Sequence, residues 1–317
     1  MTALERFQRA GIVPVVVLES ADNAVPCAEA MLKGGIDAME ITFRTAAAAD
    51  AIKAVADNCP DMLVGAGTVL NLDQAKLAVK MGAKFIVAPG YDEETVTWCC
   101  ENDIPVCPGC VTPTEIMMAL KHGLKVVKFF PANVYGGLKA LKSLSAPFVG
   151  LKFMPTGGVA QDNVGEFIAA PFIHAVGGSW ICPKADIDAG NWDKITKLCL
   201  DARAAALGFE LAHIGINEPD RDASVEVAEK FNAAFDFGVK EGNSSTFSGP
   251  IEVMKTNYLG KNGHIAVRTN SIPMAMMELE KRGFVVDMDT AKYKGTRLNA
   301  IYLKDEFGGF AVHLLQK

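Results

Sequence analysis

Between residue 11 and about residue 200 the chain repeats one pattern eight times: a short β-branched run, then an alanine-rich stretch of helical character. Apolar runs this short read as strands buried on both faces, because a helix needs more residues than each run offers. The strand candidates are 13–18, 38–42, 62–65, 84–88, 104–107, 126–129, 151–155 and 172–176. Helices fit between and after them at 24–33, 46–58, 72–81, 93–102, 114–122, 138–143, 163–169 and 192–207. Eight strand–helix alternations in this length predict an α/β fold of the (β/α)8 TIM-barrel type, near its small limit. A doubly wound open sheet is the competing architecture.

One strand candidate carries a lysine. Lys128 lies inside the apolar run from Val126 to Pro131. Burying an ammonium is costly, so a lysine in such a place gives up its proton more easily than one in water. A neutral amine attacks a carbonyl to form a Schiff base. The alternative is a lysine at a strand edge that reaches into solvent.

The polar residues and glycines follow the strands. In order they are Glu40-Ile-Thr-Phe-Arg44-Thr, Gly65-Ala-Gly-Thr68, Ala88-Pro89-Gly, Cys107-Pro-Gly, Lys128-Phe-Phe130-Pro, Pro155-Thr156-Gly157-Gly158 and Val176-Gly-Gly178-Ser179-Trp. Strand C-terminal ends carry the active site of a barrel, so seven segments would converge on one mouth. The glycine-rich turns after strands 7 and 8 suit a phosphate. Glu40 could instead simply pair with Arg44. The Cys107-Pro-Gly-Cys110 spacing looks like a redox pair, but without a second pair or nearby histidines it reads as structural.

This ordered series, over residues 5 to about 205, closely resembles the 2-keto-3-deoxy-6-phosphogluconate/4-hydroxy-2-oxoglutarate (KDPG/KHG) aldolase family. The resemblance implies a class I, metal-free aldolase, usually a homotrimer. It makes Lys128 the Schiff-base lysine and Glu40 the general acid/base. Arg44 and Thr68 would contact the pyruvate-derived carboxylate and neighbouring oxygens. Pro89 and Phe130 would shape the pocket, while Thr156, Gly157, Gly158, Gly178 and Ser179 would hold a carboxylate or distal phosphate. The implied substrates are 2-keto-3-deoxy-6-phosphogluconate, giving pyruvate and glyceraldehyde 3-phosphate, and 4-hydroxy-2-oxoglutarate, giving pyruvate and glyoxylate. One departure stands out: members often carry a basic residue at the end of strand 1, where this chain reads Leu18-Glu19-Ser20.

At 317 residues, two domains are expected. All eight cysteines and all three tryptophans precede residue 200, whereas His213, His264 and His313 lie in the remainder. The shift places a boundary near Gly208, giving an aldolase barrel over 1–208 and a smaller α+β domain over 209–317. The second domain reads as paired βαβββ modules, one opening on Leu211-Ala-His213-Ile and the other on Gly263-His264-Ile. It resembles the glyoxalase-like (vicinal-oxygen-chelate) superfamily. That resemblance puts metal ligands at His213, Glu252, His264 and His313, a set suited to Zn²⁺, Ni²⁺ or Fe²⁺. Related domains also serve as binding modules or oligomer contacts without metal.

The net charge of −6 and pI near 5.5 argue against nucleic acid or an anionic membrane as partner. The charged N-terminus and the lack of a long apolar run point to a cytoplasmic protein with reduced thiols. The function expected first is the aldolase. A non-catalytic sugar-acid phosphate binding or regulatory protein is the alternative, and a metal-dependent activity in the second domain is a third possibility.

Overall fold

The computed structural model describes residues 1–317, which divide into two compact units, Met1–Ala206 and Leu207–Lys317. The first opens with α1 (Ala3–Ala10), β1 (Ile12–Val16), α2 (Ala24–Lys33), β2 (Ala38–Thr42), α3 (Ala48–Asn58) and β3 (Leu63–Gly67). Then come α4 (Leu72–Lys80), β4 (Ile86–Val87), α5 (Glu93–Glu101), β5 (Val106–Cys107), α6 (Pro113–Lys121) and β6 (Val126–Phe129). The unit ends with α7 (Gly137–Ser145), β7 (Lys152–Pro155), α8 (Val164–Ala169), β8 (Val176–Gly178), the short α9 (Lys184–Asp188) and α10 (Trp192–Leu207).

Six strands pair in parallel in the order β5-β4-β3-β2-β1-β8, and β6 pairs in parallel with β7. Parallel bridges Gly109–Lys128 and Thr156–Gly177 join the two pieces at both ends. The order runs without the reversal that defines a doubly wound sheet. The unit is therefore an α/β, TIM-like fold.

Its interior is layered. Val13, Ala38, Leu63, Phe85, Val87, Cys107, Val126, Met154 and Ala175 form one buried cluster, drawn from every strand or its flank. Phe7 of α1 plugs it, with its ring edge-on to Phe85 at 4.7 Å between centroids. Burying a side chain of this size stabilises by roughly 1.5–3 kcal/mol. A capping box between Thr2 and Glu5 holds the start of α1. The α1 helix was not among the expected elements, since only one turn of its apolar face is visible before β1.

The expected eighth strand, 172–176, is displaced. Val176, Gly177 and Gly178 pair with Ile12, Val13 and Pro14, while Ile173 makes only a bridge to Phe153. The Ile173 N–H is spent on a turn to the Ala170 carbonyl, so the apolar run before 176 cannot enter the ladder in full.

The second unit contains β9 (Glu210–Asn217), α11 (Arg221–Phe235), β10 (Lys240–Glu241), β11 (Ser245–Ser248) and β12 (Ile251–Met254). It repeats the plan with β13 (Gly263–Thr269), α12 (Ile272–Lys281), β14 (Val286–Lys294), β15 (Arg297–Phe307) and β16 (Phe310–Gln316). All eight strands form one sheet in the order β10-β11-β12-β9-β13-β16-β15-β14. The order is mirrored about the β9–β13 seam, where the strands run antiparallel. In each half the last strand returns parallel to the first, β12 to β9 and β16 to β13. Helix α11 stops at Phe235 because Asp236 adopts a left-handed conformation with φ 56°.

No helix is long and apolar enough to cross a membrane.

Candidate active site and metal centre

In the first unit, strand alternation sets the site one layer above the buried cluster. Glu40 follows Ala38 by two residues on β2, and Lys128 follows Val126 by two on β6. Period-two geometry points both into the barrel. Lys128 Nζ donates to Glu40 Oε1 at 3.3 Å, with the side chains 4% and 2% exposed. Removing either partner would strand the other as a buried charge, at a cost of roughly 3–5 kcal/mol.

Glycines make the space. A Cβ at Gly67 would lie 2.9 Å from Cδ and Oε1 of Glu40, so the carboxylate needs this bare strand end beside it. At Gly177 a Cβ would lie 2.2 Å from Thr156 Oγ1, which fills that volume. This hydroxyl is buried and has no hydrogen-bond partner. Neither Gly67 nor Gly177 was singled out from the sequence, although both belong to the quoted motifs; their signal is a small residue at a strand's C-terminal end.

The other expected residues surround this pair to different degrees. Arg44 does not pair with Glu40; its Nε donates to Thr68 Oγ1 at 3.2 Å. Thr68 is held at φ 55°, uncommon for a β-branched residue and typical of strained functional positions. The Phe130 ring centroid lies 5.5 Å from Lys128 Nζ, and the Phe130–Pro131 peptide is cis. Pro89 packs at Gly109, where a Cβ would meet the Pro89 carbonyl at 2.0 Å. Gly157 lies against Phe130 and Pro131, Gly158 against Asn133, and Gly178 under the Trp180 ring. Ser179 is exposed. At the end of β1, Glu19 pairs with Lys184 at 3.5 Å.

Cys107 and Cys110 are free and buried. Burial pushes both thiols up to about 12; for Cys107 the Glu40 carboxylate adds to this and Lys128 opposes it. Protonated thiols are poor nucleophiles, so the pair packs and does not react.

In the second unit, the cross-strand register gathers His213, Glu252, His264 and His313. One row across the sheet reads Glu252, Gly215, His264, and the next reads His213, Ala266, His313, Tyr302. The intervening glycine and alanine leave room for four large polar side chains on one face. A Cβ on Gly215 would lie 2.1–2.4 Å from His264 ring atoms. The His264 imidazole therefore lies directly over a glycine.

Glu252 Oε2 is 3.0 Å from His213 Nε2 and 3.3 Å from His264 Nε2, and these two nitrogens are 3.1 Å apart. Ligand atoms of the three histidines all lie within 4.8 Å of one another. His264 Nδ1 and both ring nitrogens of His313 are buried without a hydrogen bond of ordinary geometry. Burial, with the neighbouring His264 and His213, pushes His313 down to about 3; the Glu252 carboxylate and then the Leu314 backbone oppose this. Burial alone would raise Glu252, but His213, His264 and Ser245 hold it well below the usual carboxylate range. Ser245 Oγ donates to Glu252 Oε1 at 2.7 Å.

Neighbouring donors around a tetrahedral ion with bonds of 2.0–2.1 Å stand about 3.3 Å apart. The 3.0–3.3 Å separations among His213 Nε2, Glu252 Oε2 and His264 Nε2 match that spacing, and the buried His313 nitrogens have no side-chain partner. The donor set fits a borderline divalent metal.

A buried amine beside a carboxylate, inside a TIM-like fold, is an arrangement that an imine-forming carbon–carbon lyase can use, and the family match gives that class. The chain belongs to the KDPG and KHG aldolase family, which residues 4–198 match. It is 44% identical over 198 residues to a 2-dehydro-3-deoxy-phosphogluconate aldolase of Treponema pallidum, covering 62% of this chain and 94% of that one. It is 42% identical over 200 residues to the KHG/KDPG aldolase of Escherichia coli K12, covering 63% and 92%. A solved KDPG aldolase from Legionella pneumophila, with pyruvate captured at low pH as a covalent carbinolamine, superposes with a TM-score of 0.62. It is 38% identical, and the match covers 63% of this chain and 98% of that one.

Proposed function

We propose that the barrel is a class I aldolase that cleaves 2-keto-3-deoxy-6-phosphogluconate to pyruvate and glyceraldehyde 3-phosphate, and 4-hydroxy-2-oxoglutarate to pyruvate and glyoxylate. The observation that carries this reading is the buried 3.3 Å pair of Lys128 and Glu40. The Lys128 amine adds to the C2 ketone, and the carbinolamine loses water to leave a protonated imine. Glu40 moves the protons of these steps and takes the proton of the C4 hydroxyl as C3–C4 breaks. The electron pair of that bond flows into the imine, forming an enamine and releasing the aldehyde. Protonation at C3 and hydrolysis then free pyruvate and the amine. No metal enters this sequence.

Arg44 and Thr68 would anchor the pyruvate-derived carboxylate, with Pro89 and Phe130 as walls. Thr156, Gly157, Gly158, Gly178 and Ser179 would receive the distal carboxylate or phosphate, and the unpartnered Thr156 hydroxyl supports this. A non-catalytic binding protein is not favoured, since it has no use for a buried ion pair that is costly to desolvate. Borohydride reduction in the presence of pyruvate should label Lys128, and folded Lys128→Met should lose turnover entirely. Turnover by that folded variant would sink the assignment.

For the domain proposed at 209–317 we infer a glyoxalase-like metal site, carried by the convergence of His213, Glu252, His264 and His313. A bound ion would act as a Lewis acid towards a carbonyl oxygen. His213, His264 and His313 would hold it through neutral imidazoles, Ser245 would orient Glu252, and Gly215 would let His264 lie flat. Metal analysis should show one ion per chain, lost in His264→Ala. Metal-free protein after loading would contradict this. We further propose that the chain assembles as a homotrimer in the cytoplasm; sedimentation of the full chain tests the assembly.

A further inference from the structure

We infer that Glu19 sets the substrate range of the barrel: it removes the advantage of a phosphate at the substrate's far end, so unphosphorylated 4-hydroxy-2-oxo acids are substrates of similar standing. The inference rests on the aldolase reading above and specifies its substrate class.

The first reason is place. On β1, Val13 belongs to the buried cluster and Val15 sits level with Glu40 of β2. The chain then runs past half-buried Val17 to exposed Glu19 at the C-terminal end of the strand. Both neighbours of this strand end belong to the expected substrate contacts. On one side Thr45 Oγ1, next to Arg44, donates to the Leu18 carbonyl at 2.6 Å. On the other, the turn after β8 closes with the Cys182 N–H on the Ser179 carbonyl at 3.2 Å. Cys182 Sγ in turn donates to the Val15 carbonyl at 3.6 Å, which ties this turn to β1. Glu19 therefore stands between the carboxylate anchors and the glycine-rich turns that would receive the far end.

The second reason is charge. Lys184 Nζ is 2.6 Å from Asp188 and 3.5 Å from Glu19. Asp188 first, and Glu19 after it, hold this ammonium in its charged form. Two carboxylates against one ammonium leave this corner one net negative charge. Asp22, whose carboxylate accepts from the Ser20 hydroxyl at 3.2 Å, adds another. Such exposed pairs add little to stability. Their field still reaches a bound anion: a phosphate carries about −1.5 to −2 at neutral pH, and a like charge about 5 Å away in water weakens its binding by roughly tenfold. The glycine turns offer backbone N–H groups, but these suit a carboxylate or a hydroxyl as well as a phosphate.

The test measures kcat/KM of the full-length chain on 2-keto-3-deoxy-6-phosphogluconate and on the same six-carbon acid without its phosphate. The ratio of the two is blind to a general loss of activity and reads only the far end. It should lie below about tenfold in the unaltered chain and rise by at least about fivefold in Glu19→Lys. Added salt should raise the ratio in the unaltered chain, because it screens a repulsion. A ratio above that bound, a smaller rise in folded Glu19→Lys, or a ratio that does not rise with salt overturns the inference. Lys184→Gln should lower the ratio by less than about fivefold; a larger fall would mean that this ammonium already grips the phosphate, which also overturns it. If Glu19→Lys does not fold, the ratio and its salt dependence in the unaltered chain decide. Turnover with the wrong ratio leaves the aldolase reading standing, whereas no turnover and no borohydride trapping of Lys128 take down both.

Discussion

The two units solve the problem of polar side chains on a buried sheet in opposite ways. In the barrel, Lys128 and Glu40 satisfy each other: one cation, one anion, 3.3 Å apart. In the second unit, three histidines crowd one carboxylate, and the nitrogens of His313 are left over. The first arrangement is complete as protein and, in the mechanism proposed above, offers its amine to a substrate carbonyl. The second leaves buried nitrogens over, which the metal proposed above would use. Buried unsatisfied polar atoms are expensive, so the leftover His313 nitrogens support the metal reading, whereas Lys128 and Glu40 need no third partner.

The comparison is broken most forcefully at Glu40. Glu40→Gln should cut kcat by about 10²–10⁴, the usual worth of a positioned acid/base, while pyruvate and borohydride still label Lys128. Labelling is slowed where Glu40 serves imine formation, but a folded Glu40→Gln that is never labelled, even on long incubation, would mean that Glu40 chiefly holds the amine in place. In the second unit the corresponding pressure point is Gly215. Gly215→Ala forces a Cβ into the His264 ring and should destabilise Leu207–Lys317 by about 1–3 kcal/mol in chemical denaturation, with metal uptake weakened.

A chelator sharpens the contrast. Metal at a hundredfold over its dissociation constant should stabilise the second unit by about 2.7 kcal/mol, seen as slowed amide exchange in β9 and β13. Chelation should remove that protection and leave aldolase turnover unchanged. The smallest expected effect is in the barrel. Burial holds His174 below its ordinary value, although the Leu4 carbonyl, 2.8 Å from Nε2, opposes the shift. The unfolded chain therefore takes up this proton before the folded one does. Stability of the first unit should fall as pH drops below about 6.5, by no more than about 1.4 kcal/mol per pH unit from this group. Unfolding midpoints at pH 7 and pH 5 measure it, and His174→Gln should flatten the difference.

Much of the barrel was legible because its signals are local. The Val126–Phe129 run announced a buried strand, and helices α2 and α10 fall where the composition put them. Lys128 stood out as a charge in an apolar run, and Glu40 by its place at a strand end. What was not legible depends on neighbours distant in sequence. The register of β8 was missed because the 172–175 run, apolar but for His174, is only bridged to β7 at Ile173. Helix α1 has one plugging residue, Phe7, whose partner Phe85 lies far along the chain. Gly67, Gly177 and Gly215 matter through the side chain opposite each of them, which one strand's sequence does not reveal. Tyr302 likewise looks like an ordinary strand aromatic until β16 brings His313 beneath it.

The mirrored order of the second sheet has one more consequence. His213 and Glu252 come from the strands on one side of the β9–β13 seam, and His264 and His313 from those on the other. A fragment holding only one side inherits two donors and a bare strand edge, too few to grip an ion firmly. A cation seized by all four would thus act as a clasp between the halves, and such a grip exists only once both copies of the βαβββ plan are joined.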